Sequence, residues 1–212
     1  MSSEATQQNA PTWIDVEDML LIAQEVHLWS IENFGDQKGI DKLAPLLGIG
    51  EELGELAAAS NSEEFGEETE RLREQADAIG DIGIYLFDFC TRDEVDLEGI
   101  LWSIDKSIPD NPALAFHSFD RCLSSLISDL GHLHHAVLKR HQGIRGYDDI
   151  NVYVSNRDTA IGSLLANLYQ ISVTALYPFE VNNFELIVEE TWEKVVSKRN
   201  WKSPLRDNDS VE

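Results

Sequence analysis

The chain has 212 residues, 42% of them hydrophobic, and carries 39 acidic against 16 basic side chains for a formal charge of −23. This balance excludes a surface built to grip a nucleic-acid backbone, which needs Lys and Arg to neutralise phosphates. No apolar run approaches the ~18 residues of a membrane span.

Residues 1–12 have neither the basic start nor the apolar centre of a secretory signal, and are expected to be a disordered tail, as are residues 203–212. Helical periodicity begins with "WIDVEDMLLIAQEVHLWSIENF", which Asp15 is placed to cap. "GDQKGID" breaks it. "KLAPLLGIGEELGELAAAS" is a second helix with Pro45 in its first turn, where proline is tolerated. After a loop over 61–66, a third helix is expected from Glu67 to about Phe89. A helix over 97–108 follows, then a break at "PDNP", then a long helix over 115–140. "HQGIRGYDDINVY" reads as a loop, 157–176 as a helix, "YPFEVNN" as a break and "FELIVEETWEKVVSKRNW" as the last helix. Alternating β-branched runs and Asn-Gly turns are absent, so the expected class is all-α. Cys90 and Cys122 lie in apolar helical patterns and read as buried free thiols, pointing to a reducing, cytoplasmic setting.

The two halves can be laid over one another. "GEELGELAAA" lies over "ISDLGHLHHA" at an offset of 77, and "ADAIGDIGIYL" over "DTAIGSLLANL" at 82. A shorter match pairs "LWSIE" at Leu28 with "LWSID" at Leu101. Gly54 recurs as Gly131 and Gly80 as Gly162. Glycine inside a helix costs about 1 kcal/mol relative to alanine, so close helix contact is expected at all four. The division is into repeats over 13–107 and 108–202. Charge divides unevenly between the halves: 25 acids against 6 bases in residues 1–107, and 14 against 10 in residues 108–212.

The acids of the first half fall on helix faces. Glu52 and Glu55 are neighbours on one face, as are Glu74, Asp77 and Asp81 on the next helix. Glu-x-x-Glu alone is usually a solvated face, and "EEFGEETERLRE", with Arg71 and Arg73, reads as one. Asp77 and Asp81 differ, because they flank Gly80 and precede a nearly all-apolar turn where burial is expected. Carboxylates brought together by two antiparallel helices repel one another and raise each other's pKa. A hard divalent cation such as Mg²⁺ resolves that, binding through carboxylates plus substrate phosphates.

"GEELGEL" followed by "EQADAIGDIGIYL" resembles the MazG-type, all-α nucleoside triphosphate pyrophosphatases, which are related to dimeric dUTPases. The resemblance is good over about residues 20–92 and continues more weakly in "HAVLKRHQGIRG" and "TWEKVVSKRNW". It implies a four-helix-bundle-type fold. It also implies Mg²⁺-dependent hydrolysis of a nucleoside triphosphate to monophosphate and pyrophosphate, with Mn²⁺ as a substitute and clearance of unwanted nucleotides as a role. Carried over by position, Glu52 and Glu55 match the family's first acid pair, and Asp81 matches the aspartate before the apolar run. The family's preceding glutamate is replaced by Ala78. Asp77 is the substitute ligand the resemblance points to, with Glu74 as its rival. Glu51 is a candidate general base. In the second half Asp129 stands for Glu52, His132 for Glu55, Thr159 for Asp77 and Ser163 for Asp81. The resemblance therefore implies a tandem duplication whose second copy is degenerate. Family members work as dimers or dimers of dimers. One chain here supplies two halves, with a homodimer as a further possibility.

Lys139, Arg140 and Arg145 either neutralise nearby acids or reach a triphosphate; Lys198 and Arg199 are further candidates for substrate binding. Trp192 and Trp201 suit a core or cap, or stacking on a base. His132, His134 and His135 lack the cysteine or second acid that would favour zinc. The expected partner is the nucleoside triphosphate, with neither nucleic acid nor membrane. The competing reading is a catalytically inactive helical module that senses nucleotides or binds a protein.

Overall fold

The computed structural model describes residues 14–35, 42–61, 68–107, 118–175 and 184–206, and among them every regular element is a helix. These are α1 (Val16–Phe34), α2 (Leu43–Asn61), α3 (Glu68–Arg92), α4 (Leu97–Ser107), α5 (Phe119–Gln142), α6 (Ile150–Ala175) and α7 (Phe184–Arg199). The all-α class is as the periodicity predicts. None of these helices is long and apolar enough to cross a membrane.

Local chemistry sets the helix ends. The Asp15 carboxylate accepts from the Asp18 N–H at 3.1 Å, the expected N-cap. Gly35 ends α1 at φ +85°, donating its N–H to the Ile31 carbonyl. Gly143 ends α5 in the left-handed region at φ +61°, where a side chain would be strained. The loop expected over 141–153 is shorter, and α6 starts at Ile150 rather than Arg157. Asp149 is the reason: its carboxylate accepts from the Asn151 N–H at 2.9 Å and caps α6. The "PDNP" break and the first residues of the expected helix over 115–140 lie outside the described residues, as do "YPFEVNN" and most of the two loops of the first half.

The helices pair in two similar sets. The most extensive contacts are α2 with α3 and α5 with α6, each an antiparallel-type hairpin. α1 packs on α3 as α4 packs on α6. Across the middle, α1 meets α4, α2 meets α5 and α3 meets α6. α7 has no counterpart: it lies mainly on α3, with smaller contacts to α1 and α6. A single core runs through both halves, including Ile79, Ile82, Phe87 and Phe89 of α3, Leu126 and Leu133 of α5, and Ile161 and Leu168 of α6. Each such side chain contributes about 1.5–3 kcal/mol on burial. Cys90 and Cys122 are free and buried, as expected.

The four repeated glycines do not play one role. A Cβ on Gly80 would stand 2.0 Å from Thr191 Oγ1, so Gly80 is where α7 comes closest to α3. Gly83 does the same beside Val188, at 2.7 Å. Gly162 has only an ordinary contact with Ile100, at 3.7 Å, while Gly54 and Gly131 face nothing within 4 Å. The expectation of close contact at all four is therefore corrected. Two are open helix surface, and only Gly80 is forced by packing.

Tryptophans tie α7 to α1. Trp192 is 2% exposed and donates its indole N–H to Glu25 Oε2 at 2.9 Å. Its ring meets Trp29 and Trp201 edge to face at 6.0 and 5.8 Å. Trp201 donates to Glu32 at 2.8 Å. Both are thus core and cap. Residues 203–206 were expected in a disordered tail, but they pack here: Arg206 grips the buried Glu25 carboxylate at 2.8 and 3.1 Å.

Candidate functional site

α2 and α3 converge beside Gly48, where a Cβ would lie 2.7 Å from the Tyr85 ring. This close approach brings the acids of the two helices within each other's field. Glu52 is half-buried, and its pKa is pushed up to about 7, first by burial, then by Asp81, Glu55, Glu51 and Asp77. Asp81 is pushed up to about 6, first by burial and then by Asp77, with Lys194 and Lys198 pulling it back and Glu55 adding to the rise. Burial and then the charges of Glu52 and Asp81 also raise the Tyr85 phenol. Glu51 and Glu55 are exposed on α2.

Asp77 is not buried as expected. Its side chain is 51% exposed and accepts from Lys194 Nζ at 3.1 Å, because it sits on the rim where α3 meets α7. Glu74 lies a further turn toward the helix start and is exposed, away from Asp81. The run around Arg71 is the solvated face expected, with only a 3.9 Å pair to Glu68. Among the described residues no three acid, histidine or cysteine side chains are set as a ready coordination shell. The donor chemistry nonetheless fits a hard cation. Only oxygen donors are offered, on two helices, and two of them hold raised pKa values that a nearby positive charge would relieve.

The candidate bases separate into two groups. Lys198 acts on Asp81 from α7, one turn beyond Lys194. Arg199 turns instead over the Trp29 ring, 5.8 Å from its centroid. Lys139 pairs with Gln142 at 3.0 Å, and Arg145 is exposed in the α5–α6 loop at φ +58°. Arg140 donates to the carbonyls of Tyr147 and Asp148 and holds that loop. Its guanidinium lies over Tyr153, as does Lys42 at the start of α2. Glu52 is ten residues further along α2, roughly 15 Å by helical rise. Thus α7, not the α5–α6 loop, brings bases to the acids. Lys194 was not singled out from the sequence. Its signal was there: Lys194 and Lys198 share one face of a helix otherwise rich in Glu.

The second hairpin places the counterparts of these acids around an open cavity of about 400 Å³. Asp129, His132, Thr159 and Ser163 line it, joined by His135 and Tyr147. Asp129 accepts from Asn167 at 2.8 Å, and His132 Nδ1 stands 3.9 Å from its other oxygen. Burial raises the Asp129 pKa, against the Asn167 hydrogen bond and the neighbouring His132, which pull it down. His134 turns away to the Leu46 carbonyl at 3.4 Å, so the three histidines do not converge.

Compared with known proteins, the chain matches no family model, no curated protein and no solved structure.

Proposed function

We propose that the chain is a Mg²⁺-dependent nucleoside triphosphate pyrophosphohydrolase of MazG-like type, a tandem duplication whose first half carries the site. The observation that supports it most is the mutual influence of Glu52, Glu55, Asp77 and Asp81 across the α2–α3 hairpin, with two carboxylates raised to about 7 and 6. The duplicated reading is supported by the matched pairing of α1, α2 and α3 with α4, α5 and α6.

In this reading Glu52, Glu55, Asp77 and Asp81 hold the cation. When bound, it supplies positive charge to the phosphate oxygens and to the leaving pyrophosphate. Lys198 faces the phosphates from α7, and Lys194 exchanges its hold on Asp77 for them. Glu51, exposed beside Glu52, takes the proton from the attacking water. Nucleotide clearance is the corresponding role.

The test is pyrophosphate release, with Mg²⁺, across the common and damaged nucleoside triphosphates. Turnover that disappears in Asp81→Ala and on chelation is the expected result. Absence of pyrophosphate from every substrate overturns the reading in favour of an inactive module.

A further inference from the structure

We propose that the cavity between α5 and α6 is a binding site for an uncharged nucleoside, separate from the acid site between α2 and α3. The inference rests on reading the second hairpin as a copy of the first, and it deepens that reading by assigning a ligand to the altered copy.

The cavity is placed by register. Its residues Asp129, His132, Thr159 and Ser163 occupy the positions that Glu52, Glu55, Asp77 and Asp81 hold in the first hairpin. At those positions four carboxylates have become one. A cation with three or more acid ligands has no counterpart here. Among the described residues no Lys or Arg lines the cavity either, so a triphosphate brought without a cation would meet the Asp129 carboxylate and none of their bases. Polyphosphate chemistry is absent, while the space persists. At about 400 Å³ it falls within the range of small-ligand pockets.

The remaining lining has the mixture a nucleoside needs. Asp129, its side chain 16% exposed, offers acceptor oxygens in a partly desolvated setting, and carboxylates of this kind take hydrogen bonds from ribose hydroxyls. Ser155, Asn156 and Ser163 add short polar groups around the mouth. Tyr147 is buried, and its ring meets His135 edge to face at 5.8 Å, giving an aromatic wall for a base. Arg140 holds the Tyr147 backbone through its carbonyl at 2.9 Å, and the ring is already buried against His135, so little ordering is left to binding.

The experiment is ligand-observed NMR and calorimetry on the full chain in excess EDTA, with adenosine, guanosine, cytidine, uridine and thymidine as probes. Saturable binding of at least one nucleoside is expected. Its affinity should fall at least about tenfold in Asp129→Ala, as for loss of a hydrogen bond to a charged group. Thr159→Leu, a change at an exposed helix position, should fill the mouth and weaken binding similarly without threatening the fold. Glu55→Gln should leave the affinity unchanged. Three outcomes overturn the proposal: no saturation by any nucleoside, binding that survives both cavity variants, or binding lost in Glu55→Gln, which would place the nucleoside at the acid site. Because chelation silences any hydrolysis, nucleoside binding is scored independently of whether pyrophosphate is released.

Discussion

Arg157 donates to both the backbone carbonyl and the carboxylate of Asp93, at 2.6 and 2.9 Å, joining α6 to the turn that ends α3. The two side chains are only 5% and 9% exposed. Lys42 at the start of α2 and Tyr153 on α6 donate to the same carboxylate. Burial works to raise the Asp93 pKa, but these three partners hold it below the usual carboxylate range. One aspartate therefore fastens the two hairpins together. Removing a partner from a buried ion pair leaves a charge uncompensated, at a cost of about 3–5 kcal/mol. Arg157→Ala should lose that much in urea unfolding. The halves share one core, so fluorescence and circular dichroism should report a single transition in the wild type.

Catalysis is expected to depend on the first hairpin alone. Glu55→Ala and Asp81→Ala should abolish pyrophosphate release while the fold persists, since removing a carboxylate from a repelling cluster relieves strain. His132→Ala and Ser163→Ala should leave kcat nearly intact. Lys198→Ala should raise KM, whereas Arg145→Ala, in the α5–α6 loop, should change it little. An Arg145 effect as large as that of Lys198 would contradict the placement of substrate beside α7.

A cation that binds only the folded chain stabilises it by about 2.7 kcal/mol at a hundredfold excess over Kd. Melting temperature should rise with Mg²⁺ in the wild type and much less in Asp77→Asn. Lys194→Ala should strengthen the Mg²⁺ response, because Lys194 competes for Asp77 at 3.1 Å. Equal shifts in all three proteins would indicate general screening of the −23 charge instead.

The raised pKa values set a direction for pH dependence. Glu52 and Asp81 titrate near 4.5 and 3.8 when unperturbed, but at about 7 and 6 in the fold. Between those values the folded chain holds protons that the unfolded chain has released. Their contribution to stability therefore falls as pH rises from about 4 to about 7. Glu25 and Asp93, whose pKa values are lowered, act oppositely and lose stability as pH falls. The difference between wild type and Glu52→Gln isolates the first effect. In EDTA, the variant's urea midpoint should gain on the wild type's as pH rises through this window.

Glycine substitutions separate packing from propensity. Gly54 and Gly131 are helical and face open space, so alanine at either should stabilise by up to about 1 kcal/mol. Gly80→Ala should destabilise by about 1–3 kcal/mol, because Thr191 must move and α7 with it. Thermal unfolding of the three variants checks the signs.

Much of this molecule is written in short-range order. Apolar spacing placed the helices, Asp15 announced the start of α1, and the spacing of Glu52 with Glu55 and of Asp77 with Asp81 put each pair on one helix face. Such features depend on residues within a turn or two, where the helical period governs which side chains are neighbours. The early start of α6 was missed because "GYDDIN" has loop composition, while its helical fate depends on an Asp149 cap and on Tyr153 and Arg157 finding Asp93 across the molecule. Tertiary structure alone decided that α7 seats on Gly80 and Gly83, carrying Lys194 and Lys198 to the acids. It also decided that Gly162, the same residue type in the same register as Gly80, has only an ordinary contact with Ile100 where Gly80 is pressed against Thr191. Two identical residues on two similar helices are distinguished only by what packs against them, and that is fixed by contacts between segments distant in the chain, on which local periodicity is silent.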